Sequence, residues 1–292
     1  TLLFLKRHMK PIQNPNHATS FSGSVKMIFS DIDGTLCDFT RKVNPLVTQA
    51  VQKTIQLGIP FAFATGRVYP SVLPLIKQLE LVHPQIASNG AEIIDPNTNE
   101  HIFHETLDQD TQAYLLDICS QYNFAHVVCS GNRLLATSWK PEFQIFEESG
   151  QATAIVDQQM LKSSPGEKIA VVVLPNQTQE LQEFANTLAQ IKHPKGIAFK
   201  QLVSEPTIMD LGPETTSKFN AIKLLCQRNG CTLDQVMAIG DGNNDAEMLR
   251  GVGCGVAMAN AAQSALDAAN FIAPDVSENG IVKALEFAWK HP

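Results

Sequence analysis

The stretch MIFSDIDGTLCDFT, residues 27–40, decides the fold class of this chain. Its apolar run begins at Met27 and predicts a buried strand, and two carboxylates, Asp31 and Asp33, appear where that strand ends. Two like charges this close raise each other's pKa unless a cation lies between them. The pair therefore predicts a site that needs both carboxylates, and Gly34 predicts a sharp turn directly after them.

Length and composition allow one or two packed domains and exclude several classes of protein. Of the 292 residues 44% are hydrophobic, which is ample for a core. The formal net charge of −7 argues against binding to nucleic acid or to an anionic membrane surface. No apolar run approaches the roughly 18–20 residues that a membrane-spanning helix needs. We therefore expect neither nucleic acid nor a membrane as a partner.

The cysteines and the first 26 residues give two further expectations. The six cysteines include no CxxC pair and are interpreted as reduced thiols of a cytoplasmic protein. Residues 1–26 are mostly polar after a short apolar start, and their order of apolar and basic residues is the reverse of a secretory signal. We expect this segment to be a disordered leader or a cloning remnant, with the native start at Met27 or Met9, and exclude it from the fold.

Strands and helices alternate at both ends of the chain. After the first strand, Asn44-Pro45 predicts a helix start, because Asn caps helices well and Pro fits the first helical position. Further buried strands are expected within 59–67, 84–91, 235–245, 254–260 and 270–274. Strands that are apolar throughout and separated by helices are typical of a parallel sheet covered on both faces. The expected core is therefore a doubly wound, mostly parallel α/β sheet, Rossmann-like in its winding.

The middle of the chain has a different pattern, in which hairpins mix with single helices. We expect residues 27–91 and 212–292 to form the core and residues 92–211 to form an inserted α+β domain. His101 and His104 lie in one predicted strand of the insertion. Because side chains alternate along a strand, residues three apart face opposite sides, and no metal site is expected there.

Polar residues follow several predicted core strands, and in open parallel sheets ligands bind at the carboxyl ends of strands. Asp31 and Asp33 end the first strand, Thr65 ends the second within ATGR, and Asp241 and Asp245 follow a late strand within GDGNND. An isolated lysine, Lys218, precedes that late strand.

This set of residue types suits phosphoryl transfer through an aspartyl-phosphate. Asp31 is the expected nucleophile, and Asp33 is the expected acid that protonates the leaving alcohol and the base that later activates water. A hard cation, expected to be Mg²⁺, offsets the repulsion between carboxylate and phosphate. Its expected ligands are Asp31, Asp241, Asp245 and the main-chain carbonyl of Asp33. The phosphate-binding or substrate-binding groups are expected from Ile32 (backbone N–H), Thr65, Gly66, Arg67, Lys218 and Asn244.

The ordered motifs DIDGT, ATGR, SNGA and GDGNND, with the lysine between the last two, resemble the haloacid dehalogenase superfamily, and in particular its Cof-type branch. The resemblance covers about residues 27–292. It implies a Mg²⁺-dependent phosphatase with a larger α/β cap inserted between Thr65 and Lys218, an interval far longer than the roughly 50 residues of a strand, helix and strand. This chain departs from the family's usual sequence around Lys218, where Thr215 and Phe219 replace the two glycines of Gly-Val-x-Lys-Gly. A different local backbone is expected there.

The resemblance implies hydrolysis of a small phosphorylated metabolite of the sugar phosphate, pyridoxal phosphate or flavin mononucleotide type. Two alternatives remain open at this point. One is a phosphomutase on the same scaffold, and the other is a non-catalytic binding protein on a decayed phosphatase fold. The expected protein is a cytoplasmic monomer or small homo-oligomer.

Overall fold

The computed structural model describes residues 12–13, 21, 23–38, 42–148 and 151–291. The chain folds into two compact units. The first unit comprises Thr1–Ala64, Lys77–His83 and Ile222–Pro292, and the second comprises Thr65–Ile76 and Pro84–Ala221. The second unit thus contains the interval 92–211, and the assignment of that interval as a separate cap domain remains a prediction.

The strands are β1 (Ile12–Gln13), β2 (Met27–Ser30), β3 (Phe61–Phe63), β4 (Gln85–Ala87), β5 (Glu92–Ile94), β6 (His101–His104), β7 (Ala125–Ser130), β8 (Arg133–Ala136), β9 (Thr153–Ile155), β10 (Lys168–Val172), β11 (Lys200–Glu205), β12 (Ile208–Gly212), β13 (Val236–Gly240), β14 (Cys254–Met258) and β15 (Phe271–Ala273). The α-helices are α1 (Pro45–Gln56), α2 (Tyr69–Leu79), α3 (Gln109–Gln121), α4 (Gln144–Glu148), α5 (Gln158–Ser163), α6 (Thr178–Gln190), α7 (Lys218–Asn229), α8 (Ala246–Gly251), α9 (Gln263–Ala268) and α10 (Ile281–Ala288).

The first unit is built on one sheet with the strand order β1-β15-β14-β13-β2-β3. The five strands from β15 to β3 pair in parallel, and β1 joins the edge antiparallel to β15. Helix α1 packs with α10 and helix α8 with α9, and these pairs also contact the sheet. The predicted α/β core with a mostly parallel sheet is confirmed.

The parallel strands are buried because their side chains are apolar on both faces. Phe29, Phe61 and Phe63 are fully buried, and the rings of Phe61 and Phe63 meet edge to face with centroids 6.3 Å apart. Burying such a side chain stabilises the fold by about 1.5–3 kcal/mol. Helix α1 begins as predicted, since the Asn44 side chain accepts a hydrogen bond from the Leu46 N–H at 2.9 Å.

Part of the segment 1–26 contributes to the first unit. Strand β1 pairs with β15, and the Val25 N–H donates to the His291 carbonyl at 2.6 Å. Within residues 1–26 the structure describes only 12–13, 21 and 23–26. For the rest of the segment, the prediction of a disordered leader lies outside the described residues.

The second unit contains two further sheets. A six-stranded sheet has the order β11-β12-β10-β7-β8-β9 and is antiparallel except where β8 pairs with β9. Helices α3 and α6 pack against it around an apolar core that includes Leu115, Phe184 and Ile169. The smaller sheet is antiparallel, with the order β4-β5-β6. Hairpins mixed with helices confirm the α+β pattern that the sequence predicts for the insertion.

The prediction for 84–91 is wrong in one respect. Strand β4 lies in this stretch, but it pairs with β5 and not with the parallel core sheet. The tight turn Ser88-Asn89-Gly90 reverses the chain directly after β4, and all three residues have positive φ, at 49°, 54° and 94°. A turn this short makes the following strand an antiparallel neighbour, which a continuous apolar run alone does not reveal.

The expectation that His101 and His104 face opposite sides of their strand is also wrong. The pairing of β5 with β6 shifts its register between Ile93 and Ile94, so that Ile102 has no partner on β5. A bulge of this kind inserts one residue and reverses the alternation beyond it. The two imidazole rings accordingly stack, with centroids 4.5 Å apart and planes inclined by 21°.

None of the six cysteines, all of which the structure describes, forms a disulfide, and burial raises the pKa of Cys119 and of Cys254 to about 12. Among the residues that the structure describes, no helix is long and apolar enough to cross a membrane.

Candidate active site

The carboxyl ends of β2 and β13 define the candidate site in the first unit. These two strands are neighbours, and the chain continues from β2 to β3 on one side and from β13 to β14 on the other. Strand order thus reverses between them, and a crevice at such a switch point is where open α/β sheets bind ligands. Asp31 directly follows β2, and Asp241 directly follows β13.

Three carboxylates converge at this point, from Asp31, Asp241 and Asp245. Each offers an oxygen, and these oxygens lie within 4.8 Å of one another. Asp245 is fully buried and Asp31 is 7% exposed. Buried carboxylates so close together repel unless a cation neutralises them. The all-oxygen donor set fits a hard divalent cation such as Mg²⁺.

Hydrogen bonds from the surrounding chain hold two of these carboxylates in place. The Thr35 hydroxyl donates to Asp241 Oδ1 at 2.6 Å. Asp245 Oδ2 accepts from the backbone N–H groups of Asp241 and Gly242, at 2.9 and 2.8 Å. The Asp241 carboxylate is therefore fixed by a residue of the DIDGT motif, and the Asp245 carboxylate is fixed by backbone groups of its own GDGNND motif.

Asp33 has a different position from Asp31. It is partly exposed and begins the turn that returns to Cys37, where the Gly34 N–H donates to the Cys37 carbonyl at 2.9 Å. Its side chain does not belong to the group formed by Asp31, Asp241 and Asp245. The role in proton transfer that the sequence suggests for Asp33 remains a prediction.

Gly34 brings the turn close to Asp241. Its φ is +80°, a conformation that residues with a Cβ rarely adopt. A Cβ built on Gly34 would overlap the Asp241 carboxylate. The Gly34 carbonyl in turn accepts a hydrogen bond from the Asn260 side-chain amide at 2.8 Å. Glycine is therefore required here both by the backbone conformation and by the close approach.

Two more predicted residues lie beside this group. Ile32 is fully buried, and its carbonyl accepts hydrogen bonds from the N–H groups of Leu36 and Cys37, at 2.9 and 3.0 Å, which closes the turn. Asn244 is partly buried in the short 3₁₀ turn Asn243–Asp245, and its amide oxygen lies against Gly242. Their predicted contacts with phosphate remain predictions.

In the ATGR motif, Ala64 belongs to the first unit and residues 65–67 belong to the second, where hydrogen bonds fix the shape of these three residues. Thr65 is buried, and its hydroxyl accepts from the Arg67 N–H at 3.1 Å. The Asn89 N–H donates to the Thr65 carbonyl at 3.0 Å, and the Ser88 N–H donates to the Arg67 carbonyl at 2.8 Å. The strained left-handed turn after β4 thus serves as the support of Thr65, Gly66 and Arg67.

An ion pair that the sequence did not reveal completes this support. Lys168 Nζ donates to the Gly66 carbonyl at 2.9 Å and to Asp210 Oδ1 at 2.8 Å. Asp210 Oδ2 accepts from the Asn89 side-chain amide at 2.7 Å. Burial lowers the pKa of the Lys168 ammonium, but the charge and hydrogen bond of Asp210, together with smaller effects of Cys129 and Glu205, hold that pKa above its ordinary value. The sequence signal that could have indicated this ion pair is Asp210, a charged residue within the otherwise apolar strand IMDLG.

Lys218 is buried, lies in the second unit and begins helix α7, which belongs to the first unit from Ile222 onward. The preceding Ser217 caps this helix, since its hydroxyl accepts from the Asn220 N–H at 3.0 Å. Thr215 and Phe219, which stand where the family usually has glycines, both have negative φ. This backbone therefore needs no glycine at either position.

The structure brings Asp31, Asp241 and Asp245 together, with Ile32, Asp33 and Asn244 in the same unit. The other predicted residues, Thr65, Gly66, Arg67 and Lys218, lie in the second unit.

Comparisons with known proteins bear on the family. A family model described as haloacid dehalogenase-like hydrolase matches residues 28–285. A protein of Streptococcus pyogenes serotype M6, named provisionally as a phosphatase, is 29% identical over 270 residues, which cover 90% of this chain and 97% of that protein. Bacillus subtilis YitU, named 5-amino-6-(5-phospho-D-ribitylamino)uracil phosphatase, is 24% identical over 261 residues, covering 89% and 96%.

The fold is also found among solved structures. The crystal structure of a haloacid dehalogenase-like hydrolase from Bacteroides thetaiotaomicron superposes with a TM-score of 0.79 at 25% identity, and covers 90% of this chain and 99% of that one. The family match extends over nearly the whole sequence and includes both strand ends that carry the clustered carboxylates. This chain therefore belongs to the haloacid dehalogenase-like hydrolases, and within them to the Cof type.

Proposed function

We propose that this chain, a phosphoric monoester hydrolase, cleaves a small phosphorylated metabolite through a covalent phosphate on Asp31 and depends on Mg²⁺. The observation that carries this proposal is the convergence of Asp31, Asp241 and Asp245 at the strand switch point, with carboxylate oxygens within 4.8 Å of one another. A phosphate monoester repels such a group, so the reaction needs a cation at the same place.

The metal would be held by Asp31, Asp241, Asp245 and the Asp33 carbonyl. When bound, the ion supplies positive charge that offsets the repulsion between the nucleophile and the phosphate and polarises the phosphoryl group. Thr35 contributes by orienting Asp241 through its 2.6 Å hydrogen bond. Asp245 contributes by fixing the backbone of Asp241 and Gly242.

In the first step, a carboxylate oxygen of Asp31 attacks phosphorus and the bond to the ester oxygen breaks. Asp33 gives its proton to the departing alkoxide, which leaves as an alcohol. Asp33 suits this role because it is partly exposed and its carboxylate lies outside the clustered three. The product of this step is a phosphoryl group on Asp31 and a deprotonated Asp33.

In the second step, Asp33 takes a proton from water while the water oxygen attacks phosphorus. The bond between phosphorus and Asp31 breaks, inorganic phosphate leaves, and both aspartates return to their starting states. Thr65, Lys218, Asn244 and the backbone N–H groups of Ile32 and Gly66 are proposed to hold the phosphoryl oxygens in both steps. Arg67 is proposed to contact the substrate.

The proposed substrate is a small phosphorylated metabolite of the sugar phosphate, pyridoxal phosphate or flavin mononucleotide type. YitU supports this class, since its name describes a phosphatase for a phosphorylated ribitylamino compound. Residues 92–211 are proposed to act as the cap that selects the leaving group. The protein is proposed to be cytoplasmic and monomeric or a small homo-oligomer.

The experiment is a screen of phosphorylated metabolites for phosphate release, run with Mg²⁺, with EDTA, and with Asp31→Asn as the matched control. We expect turnover of one or a few metabolites with Mg²⁺ and none with EDTA. Asp31→Asn should lose at least about 10³-fold in rate, or about 4 kcal/mol of barrier lowering, because the amide is a far weaker nucleophile. Turnover in EDTA, or an Asp31→Asn variant within tenfold of wild type, contradicts the proposal.

A further inference from the structure

Two histidines and two glutamates form a second cluster, the His–Glu cluster, which lies wholly in the second unit. It consists of Glu92, His101, His104 and Glu167. His101 Nε2 is 3.1 Å from Glu92 Oε1, and His104 Nε2 is 2.7 Å from Glu167 Oε1. The bulge in β6 is what places both histidines on one face of the strand.

The donor atoms of this cluster converge as the ligands of a metal do. Glu92, His101 and His104 each offer one atom, and these three atoms lie within 4.8 Å of one another. The side chains of Glu92 and Glu167 are 2% and 1% exposed, whereas those of His101 and His104 are 40% and 37% exposed. The glutamates are therefore fixed inside the protein, and the imidazoles leave an entry path from solvent.

Hydrogen bonds from neighbouring groups orient the carboxylates of Glu92 and Glu167, which is a recurrent feature of metal sites. The Ser88 hydroxyl donates to Glu92 Oε2 at 2.7 Å. The Gly131 N–H donates to both oxygens of Glu167, at 3.0 and 2.9 Å. Glu167 in turn contacts the His104 ring, as carboxylates do that orient a ligating histidine.

The charge of the cluster points to a cation. Glu92 and Glu167 are both buried, and each contacts one ring of the stacked histidine pair. Buried carboxylates are costly unless a positive charge or a metal ion offsets them. A single divalent ion would offset both carboxylates at once.

We propose that Glu92, His101 and His104 bind one divalent transition-metal ion of the Zn²⁺ type, with Glu167 orienting His104. Mixed imidazole and carboxylate ligands favour Zn²⁺ and related ions, whereas the all-carboxylate group of the first unit favours Mg²⁺. Glu92 and the histidines belong to the small sheet, and Glu167 and Gly131 belong to the segments around β10 and β7. The ion would therefore bind the small sheet alone, and the contact between His104 and Glu167 would link it to the segment that leads into β10.

The test uses the untagged full-length protein, freed of metal by a chelator and kept in excess Mg²⁺ so that the carboxylate group of the first unit is saturated. Zn²⁺ is titrated against it calorimetrically, and Co²⁺ absorption reports the ligand type. His101→Gln and His104→Gln remove one ligand each, and His193→Gln is the matched control, a histidine of the same unit that contacts Tyr114 and the Leu188 carbonyl. Circular dichroism establishes that each variant is folded.

We expect one equivalent of Zn²⁺ bound by wild type and by His193→Gln, together with a rise in melting temperature. Ser88→Ala should weaken binding about 10–100-fold, the usual cost of losing an orienting partner, and each ligand variant should weaken it more. The proposal is overturned by no saturable binding in Mg²⁺, by unchanged affinity in both ligand variants, or by a thiolate-to-cobalt band, which would assign the ion to cysteine. If a ligand variant does not fold, Ser88→Ala decides in its place.

Discussion

At the scale of single residues, two aspartates two positions apart have different surroundings and therefore different proposed tasks. Asp31 is nearly buried and shares its surroundings with Asp241 and Asp245, whereas Asp33 is partly exposed in the turn. A carboxylate among other carboxylates would need a cation beside it, and it suits nucleophilic attack on a phosphate whose charge that cation would offset. A carboxylate that reaches solvent can exchange protons between the two steps.

This difference predicts how Asp33→Asn behaves on two kinds of ester. Alkyl phosphates need a proton on the leaving oxygen, so their rate of aspartyl-phosphate formation should fall about 10²-fold or more. Activated aryl phosphates do not need that proton, and their first step should change less than about tenfold by the same reasoning. Asp31→Asn is the contrasting variant, since it should stop aspartyl-phosphate formation from both kinds of ester. Rapid-mixing measurements of alcohol or phenol release give these rates, and equal losses on the two ester types would show that Asp33 is not the acid.

Lys168 is predicted to act as a positioning residue for the ATGR loop. Removing its charge alone leaves the Asp210 carboxylate buried without a counter-charge, which typically costs about 3–5 kcal/mol of stability. The double variant Lys168→Met, Asp210→Leu removes both charges and should approach wild-type stability, because replacing a buried ion pair by apolar residues is often neutral. It still deprives Gly66 and Asn89 of their partners.

We therefore expect the double variant to melt near wild type and yet to lose about 10²-fold in kcat/KM, since small displacements of binding groups cost that much. A melting curve and steady-state kinetics on the same sample separate the two effects. Full activity in a stable double variant would show that the ion pair only stabilises the fold.

At the scale of elements, the turn after β2 depends on one glycine. Gly34→Ala should strain the backbone and push its methyl group into the Asp241 carboxylate. Gly58→Ala is a matched control, because Gly58 has nearly the same φ of +79° but no described residue comes within 4 Å of the position that an added methyl group would take. Both variants should lose about 1–2 kcal/mol of stability from the backbone conformation.

Only Gly34→Ala should need more Mg²⁺ for half-maximal activity, because only it displaces a proposed metal ligand. Activity measured against Mg²⁺ concentration for the two variants gives the comparison. If Gly34→Ala and Gly58→Ala respond to Mg²⁺ alike, the close approach to Asp241 has no functional consequence.

The strands show how much of the fold and of the candidate site could be predicted from the sequence. The strands β2, β13 and β14 are continuous apolar runs, and the residues directly after β2 and β13 could be named as site residues because strand ends of parallel sheets share one edge. The partner of β4 could not be found this way, since an apolar run does not specify its neighbours. Side-chain alternation failed in β6 because the bulge at Ile102 arises from pairing with β5.

Contacts between residues far apart in the sequence could not be predicted either. Lys168 and Asp210 are 42 residues apart, and Asn89 and Asp210 are 121 apart. Each residue is chemically ordinary in the sequence, and only the antiparallel pairing of β10 with β12 brings Lys168 near Asp210. The carboxylate group of the first unit was predictable because its motifs occur in a known order, whereas the support of the ATGR loop has no such signature.

At the scale of the whole molecule, the proposed function depends on the passage of the phosphoryl group through Asp31. The direct measurement is to mix enzyme and an activated aryl phosphate, quench in acid, digest, and locate the phosphoryl group by mass spectrometry. Asp33→Asn is the variant of choice, because it should form the intermediate and hydrolyse it slowly for lack of the base that activates water. We predict a phosphoryl group on the peptide that contains Asp31, absent from Asp31→Asn. A phosphoryl group on another residue, or none in an Asp33→Asn enzyme that still releases phenol, would contradict this mechanism.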